Sequence, residues 1–239
     1  MKFTSKILLG LLLLLFAGVV SSNIILKSKY DKIDKSDNYW NYASVLQQPF
    51  KYLKITGGNS TKIAFEQSTK CSVKILQQWK SWYKGEIKAY VSNDTLYINF
   101  DYVADNLYNK FWMESATTVR IFSPELLYVE GFNTKLEMFK IKQKSISVNM
   151  SGKSEFELES MSTAFDSLNI TQKDSSAVVF EMSPDYKTTE TFHIKKVAAS
   201  VQGVSILDLG HAQIDSLQLS IADSSGIILS GGALKKRFR

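Results

Sequence analysis

One stretch of this chain repeats another. Residues 165–181, FDSLNITQKDSSAVVFE, align without a gap on residues 214–230, IDSLQLSIADSSGIILS, 49 positions later. Asp-Ser-Leu recurs at 166–168 and 215–217, and Asp-Ser-Ser at 174–176 and 223–225. Two triplets kept in one register are improbable by chance. A fixed internal period restricts a chain to architectures that stack one unit on the next.

Each unit reads as strand, turn, strand. Two apolar residues alternate with polar ones, the mark of a strand with one buried face. A turn rich in Gly, Ser, Asn or Asp follows, and eight residues after the second apolar position another alternating pair begins. Leu168 and Ile170 precede Val178 and Phe180; Leu217 and Leu219 precede Ile227 and Leu229. The same spacing finds Ile146, Val148, Phe156 and Leu158 around Ser151-Gly152, and Val197, Ala199, Leu207 and Leu209 around Gly203. It also finds Leu126, Tyr128, Leu136 and Met138 around Gly131, and Leu53, Ile55, Ile63 and Phe65 around Gly57-Gly58. Anchors at 128, 148, 170, 199 and 219 lie 20, 22, 29 and 20 residues apart. Steps near 20 fit the coils of a parallel β-solenoid, whereas a β-sandwich alternates similarly but has no reason to hold such a period. The long step needs extra residues, which fall in 181–192 with Pro184, a residue that cannot donate to a ladder. The expected domain is therefore all-β and solenoidal, over residues 45–234.

Ahead of it, 20 uncharged residues run between Lys6 and Lys27. With Lys2 and Lys6 in front, residues 1–26 read as a signal anchor whose residues 7–26 contact the lipid bilayer. The competing reading is a signal peptide cut near Ser21 or Ser22, releasing a secreted domain. Both place the rest of the chain outside the cytoplasm, although Lys27, Lys29 and Lys32 reduce the charge asymmetry. No Cys directly follows the apolar run, so no lipoprotein cleavage site is expected; Cys71 is too far along. Residues 27–44 read as a stalk and 235–239 as a basic, solubilising tail.

The net charge of +6 resembles a nucleic-acid signal until it is located. Lys2, Lys6, Lys235, Lys236, Arg237 and Arg239 sit in end segments without acids. Taking those six from the 29 Lys and Arg leaves 23, matched by 23 Asp and Glu. A neutral body lacks the footprint that phosphate binding requires, and no nucleic-acid partner is expected.

Chemistry-bearing motifs are sparse. One Cys and two His exclude a disulfide framework and a Cys-based zinc site, and no nucleophile elbow, HExxH or phosphate loop occurs. His193 and His211 read as surface or turn residues, and Cys71 as a buried, inert thiol. Glu155, Glu157 and Glu159 alternate on one strand face and read as a solvated surface rather than a cation site. Asp174 and Asp223 occupy equivalent corners, where a carboxylate pair for sugar chemistry competes with simple turn capping. No catalytic residue, cofactor or metal is assigned, and the chain is not expected to be an enzyme. Residues 30–140 hold 21 of the 29 aromatics, including Trp40, Trp79, Trp82 and Trp112. These four are the candidate binding face, for a glycan or an envelope protein; the alternative is an aromatic cap over the solenoid's N-terminal end.

The repeated corners, Asp-Ser-Ser or Gly-x-Ser, and the closing run Ser224 to Gly232 resemble the GIN domain, the auto-transporter adhesin head domain family DUF2807. The likeness is strongest over 125–234 and looser over 50–124. It implies a right-handed parallel β-helix in the envelope of a Bacteroidetes-type bacterium and no established activity. The triplets at 94–96, 166–168 and 215–217 are similar to an Asp-Ser/Thr-apolar O-glycosylation motif of Bacteroidetes envelope proteins, which marks Thr95, Ser167 and Ser216. The expected role is binding, adhesion or envelope scaffolding by an inner-membrane-anchored domain in the periplasm. A polysaccharide-acting enzyme and a self-assembling solenoid are the alternatives.

Overall fold

The computed structural model describes residues 3–79, 86–101, 117–182 and 192–229. Contacts divide the chain into two compact units, residues 1–41 and 42–239. The first contains one helix, α1 (Phe3–Tyr30), which has no buried residue and no acid in its first turn. Its Leu-rich run favours helix, and Lys27 and Lys29 in the last turn complement the helix dipole. The helix continues four residues past Leu26, so its last turn is charged.

The second unit is built of strands. Its first half contains β1 (Tyr42–Leu46), β2 (Tyr52–Thr56), β3 (Lys62–Gln67), β4 (Ser72–Leu76), β5 (Glu86–Ser92), β6 (Thr95–Asp101) and β7 (Thr117–Ser123). The second half contains β8 (Tyr128–Phe132), β9 (Lys135–Ile141), β10 (Ser145–Ser151), β11 (Glu155–Ser160), β12 (Ala164–Gln172) and β13 (Ala177–Met182). It ends with β14 (His193–Val201), β15 (Ile206–Asp208), β16 (Gln213–Ile221) and β17 (Gly226–Ile228). They form two mixed, open sheets. One has nine strands in the order β1-β4-β7-β3-β9-β11-β13-β15-β17, and the other eight in the order β16-β14-β12-β10-β8-β2-β6-β5.

From β8 onward, consecutive strands alternate between the sheets and each pairs in parallel with the strand two places on. The spacing of eight takes the chain from one sheet to the other. The step near 20 returns it one strand further along. Ile146, Leu168, Val197 and Leu217 share one register row of the eight-stranded sheet. Leu136, Phe156, Val178, Leu207 and Ile227 share one in the nine-stranded sheet. Most of these inward positions are fully buried and belong to one continuous core; Leu217 and Ile227, on the last strands, pack against it half-buried. The 49-residue repeat thus spans two steps of the stack, from β12 over β14 to β16. The insertion expected in 181–192 is narrowed by β13 extending to Met182 and β14 starting at His193; residues 183–191 lie outside the described residues.

Two expectations are corrected. The anchor at 128 is one residue out: Val148 pairs with Val129, which is buried, while Tyr128 faces outward beside Ser147. The second inward place on β8 is Gly131, where a Cβ would lie 2.5 Å from Thr134 Cγ2 and 2.6 Å from Met150 Sδ. Met150 therefore fills the volume that an apolar residue occupies in other units. The pairing is also not parallel throughout. β1 with β4, β4 with β7, and β5 with β6 are antiparallel, all at the edges formed by the first half of the chain. Asn93 and Asp94 connect β5 to β6 with φ of 49° and 57°, the two-residue hairpin geometry that forces antiparallel neighbours. The unit at 53–65 is real, but β2 and β3 insert between β6–β7 and β8–β9 rather than stacking in chain order.

Candidate functional site

Alternation along the eight-stranded sheet turns one set of residues outward at every strand. One outward row runs Thr95, Tyr52, Tyr128, Ser147, Asn169, Ala198 and Gln218 from β6 to β16. The next runs Tyr90, Tyr97, Lys54, Glu130, Asn149, Thr171, Ser200 and Ser220. The face thus has two parts. Near β5, β6, β2 and β8 it carries tyrosines, with Tyr90 and Tyr97 stacked at 5.0 Å between ring centroids. Across β10, β12, β14 and β16 it is a shallow groove of about 440 Å³, lined by hydroxyl, amide and apolar residues without a charged one.

Tyr128 joins the two parts. Its hydroxyl donates to Glu130 Oε2 at 3.1 Å and accepts from Asn149 Nδ2 at 3.2 Å. Burial raises the Tyr128 pKa, and the Asn149 hydrogen bond opposes this. Glu130 is itself paired with Lys54 at 3.0 Å, which raises the lysine's pKa and holds it charged. Asn169 Nδ2 donates to Ser147 Oγ at 3.3 Å, a side-chain bond along the row.

The nine-stranded sheet has a larger concavity, about 700 Å³, lined in part by Glu66, Arg120, Glu137, Phe139 and Lys142. Three of its lining charges are engaged internally. Arg120 contacts Glu66 at 2.5 Å and lies over the Tyr42 ring at 5.2 Å, and Lys62 pairs with the buried Glu137 at 2.8 Å. Gln67 binds both rims, accepting from the Lys142 amide at 2.5 Å and donating to the Pro124 carbonyl at 2.8 Å. Further along the sheet, Glu157, Glu159 and Glu181 bring carboxylate oxygens within 4.8 Å of one another. Burial, and then the neighbouring Glu137, Glu181, Glu159 and Glu155, raise the Glu157 pKa; burial followed by Glu159 and Asp208 raises that of Glu181.

The structure does not gather the four tryptophans. Trp79 is 2% exposed and meets Phe100 edge-on at 6.2 Å, so its ring is part of the packing. Trp40 is half exposed but lies in the unit of residues 1–41. Trp82 and Trp112 lie outside the described residues. Among the described residues, the exposed aromatics of the strand domain are instead Tyr52, Tyr90 and Phe132, and a signal for the tyrosines was present: Tyr52, Tyr97 and Tyr128 stand at outward places of alternating strands.

Thr95 is half-buried at the start of β6, and its hydroxyl donates to the Asn93 carbonyl at 3.2 Å. Ser167 and Ser216 share one outward row with Lys196 between them, Ser167 half-buried and Ser216 exposed. His193 lies 2.8 Å from Asp215, His211 is exposed at a turn, and Cys71 is half-buried with its thiol 3.5 Å from Ser123 Oγ. Asp174 does not cap its own corner: its carboxylate accepts from the Gly152 amide one step back, at 2.9 Å. The Gly203 corner lies between those of Asp174 and Asp223, which leaves the two carboxylates about 10 Å apart along the sheet.

These features define a mostly β domain of stacked strand pairs, with a tyrosine-flanked polar face, that follows an apolar N-terminal helix. The family model described as "Putative auto-transporter adhesin, head GIN domain" matches residues 51–183, over half of the chain, and the chain belongs to that family. The match takes in the tyrosine face and about half of the groove, while β14 to β17 continue the same registers beyond it. Among solved structures, the chain is similar to one titled a putative adhesin from Bacteroides fragilis, at 16% identity and a TM-score of 0.37 over 79% of this chain and 96% of that one. It is also similar to one titled a putative lipid binding protein from Parabacteroides distasonis, at 14% and 0.36 over 80% and 94%. A third, titled a putative adhesin from Parabacteroides merdae, is 9% identical with a TM-score of 0.35 over 79% and 95%. No curated protein matches.

Proposed function

We propose that this protein is an adhesin-like binding or scaffolding component of a bacterial envelope, held in the inner membrane by α1 with its strand domain in the periplasm. The observation that carries the reading is α1 itself, 28 residues without a buried side chain, joined to a domain of an adhesin-head family. At about 1.5 Å per residue the helix is about 42 Å long, enough to cross a hydrocarbon core of about 30 Å with its charged last turn in the headgroups. The architecture we assign to the domain is a right-handed parallel β-helix. The parallel ladders from β8 to β17 support it, and parallel crossovers are right-handed in nearly all proteins. No residue is assigned to catalysis: the acids that approach one another on the nine-stranded sheet lie on its outer surface, with no partnered nucleophile or base beside them among the described residues.

The test is carbonate extraction of membranes from a bacterial host, with intact-mass analysis of the recovered chain. The protein is expected to stay in the washed membranes at its full 27.0 kDa. A soluble product lacking residues 1–22 would replace the anchor with a cleaved signal peptide and a secreted domain.

A further inference from the structure

The outer face of the eight-stranded sheet has a composition unlike the rest of the surface, and we infer that it binds a neutral, extended polysaccharide lying across the strands. The inference rests on the binding role proposed above and names its ligand class. The groove across β10, β12, β14 and β16 has no charged lining residue in a chain that is 22% charged. Most charged groups that border it are paired, Lys54 with Glu130 at 3.0 Å, Lys195 with Asp166 at 2.7 Å and His193 with Asp215 at 2.8 Å, while Lys196 stands exposed on the next outward row. An anionic ligand would find no cation among the groove's lining residues, and the outward places other than Ala198 offer it hydroxyls and amides.

Hydrogen-bonding capacity is left over. The side chains of Thr171, Gln218 and Ser220 make no hydrogen bond among the described residues, and all three face the groove. Such groups suit a ligand that carries both donors and acceptors at each position, as sugar hydroxyls do. The rows repeat at every strand, about 4.8 Å apart, so the face offers similar contacts at successive steps and fits a polymer rather than a single sugar. At one end of the same row stand Tyr128 and then Tyr52, with Tyr90 in the adjoining row; Tyr52 and Tyr90 are 38% and 47% exposed. Their open rings can stack on the C–H face of a pyranose while the groove takes the hydroxyls.

The experiment uses the full chain in detergent and affinity electrophoresis against a neutral β-glucan, a neutral mannan, alginate and heparin. At least one neutral polymer should retard the protein, with an affinity that stays the same as salt is raised, and neither anionic polymer should do so. Tyr52→Ala and Thr171→Val should each weaken retention by about fivefold to tenfold. Lys142→Ala, on the other sheet, should leave it unchanged. The proposal is overturned if no neutral polymer is retained, if only anionic polymers bind in a salt-sensitive way, or if Lys142→Ala weakens binding while the two groove variants do not. Because the protein is purified first, a negative result here leaves the membrane assignment standing, and a soluble, cleaved chain would leave this face testable.

Discussion

Gly203 adopts a φ of 71° directly against the backbone of Asp174 on the preceding corner. A Cβ there would meet the Asp174 carbonyl oxygen and amide nitrogen, and neither can move without breaking the Val204-to-Asp174 backbone bond of 2.6 Å. The neighbouring corners solve the same steric problem with other residues. Asn133 and Asp174 accept positive φ themselves and use their side chains to bind the next or previous corner. At three corners the last Ser turns inward: Ser154, Ser176 and Ser205 are buried, and Ser176 and Ser205 bond to one another at 3.2 Å. Gly203→Ala is therefore expected to cost about 1–3 kcal/mol, lowering the urea midpoint without changing the slope of unfolding. The Asp-Ser-Ser and Gly-x-Ser corners were readable from the sequence because their turn chemistry is local. That Asp174 caps a neighbouring corner was not readable, since this bond joins residues 22 apart that only the stacking brings together.

Among the elements, β10 to β17 follow the sequence pattern residue for residue because inward places there hold Leu, Ile, Val or Phe in nearly every unit. β8 does not, because Gly131 carries no hydropathic signal and Leu126 and Tyr128 mimic an alternating pair one residue out of register. The antiparallel β5–β6 hairpin was marked by Asn93-Asp94, but the insertion of β2 and β3 between later strands leaves no local trace. The tyrosine face was missed for a related reason: residue type drew attention to Trp, whereas position in the alternation decides which aromatics are open. The acidic row on β11 and β13 carries its own prediction. The Glu157 and Glu181 pKa values are raised in the folded protein, so the native state holds protons more tightly than the unfolded chain. Stability from this row is therefore greatest below about pH 4 and declines as pH rises through the folded-state values. Glu157→Gln should raise the melting temperature at pH 7 by about 1–2 °C, on the order of 0.5 kcal/mol. The gain should vanish in a scan below about pH 4; an equal gain at both pH values would mean that repulsion among these carboxylates is not its origin.

For the molecule as a whole, charge is unevenly distributed between the ends and the strand domain. The strand domain has a balanced composition and so relies on shape, stacking and neutral hydrogen bonds for recognition. The excess positive charge lies in terminal segments, two of its residues directly before the apolar run. The arrangement proposed here has the N-terminus inside and the strand domain outside the cytoplasm. Protease treatment of intact spheroplasts tests it most directly, using antibodies against the strand domain and an N-terminal tag. Protease is expected to remove the strand domain while the membrane is sealed and to leave the tag protected. A strand domain that survives until the spheroplasts are lysed would contradict it.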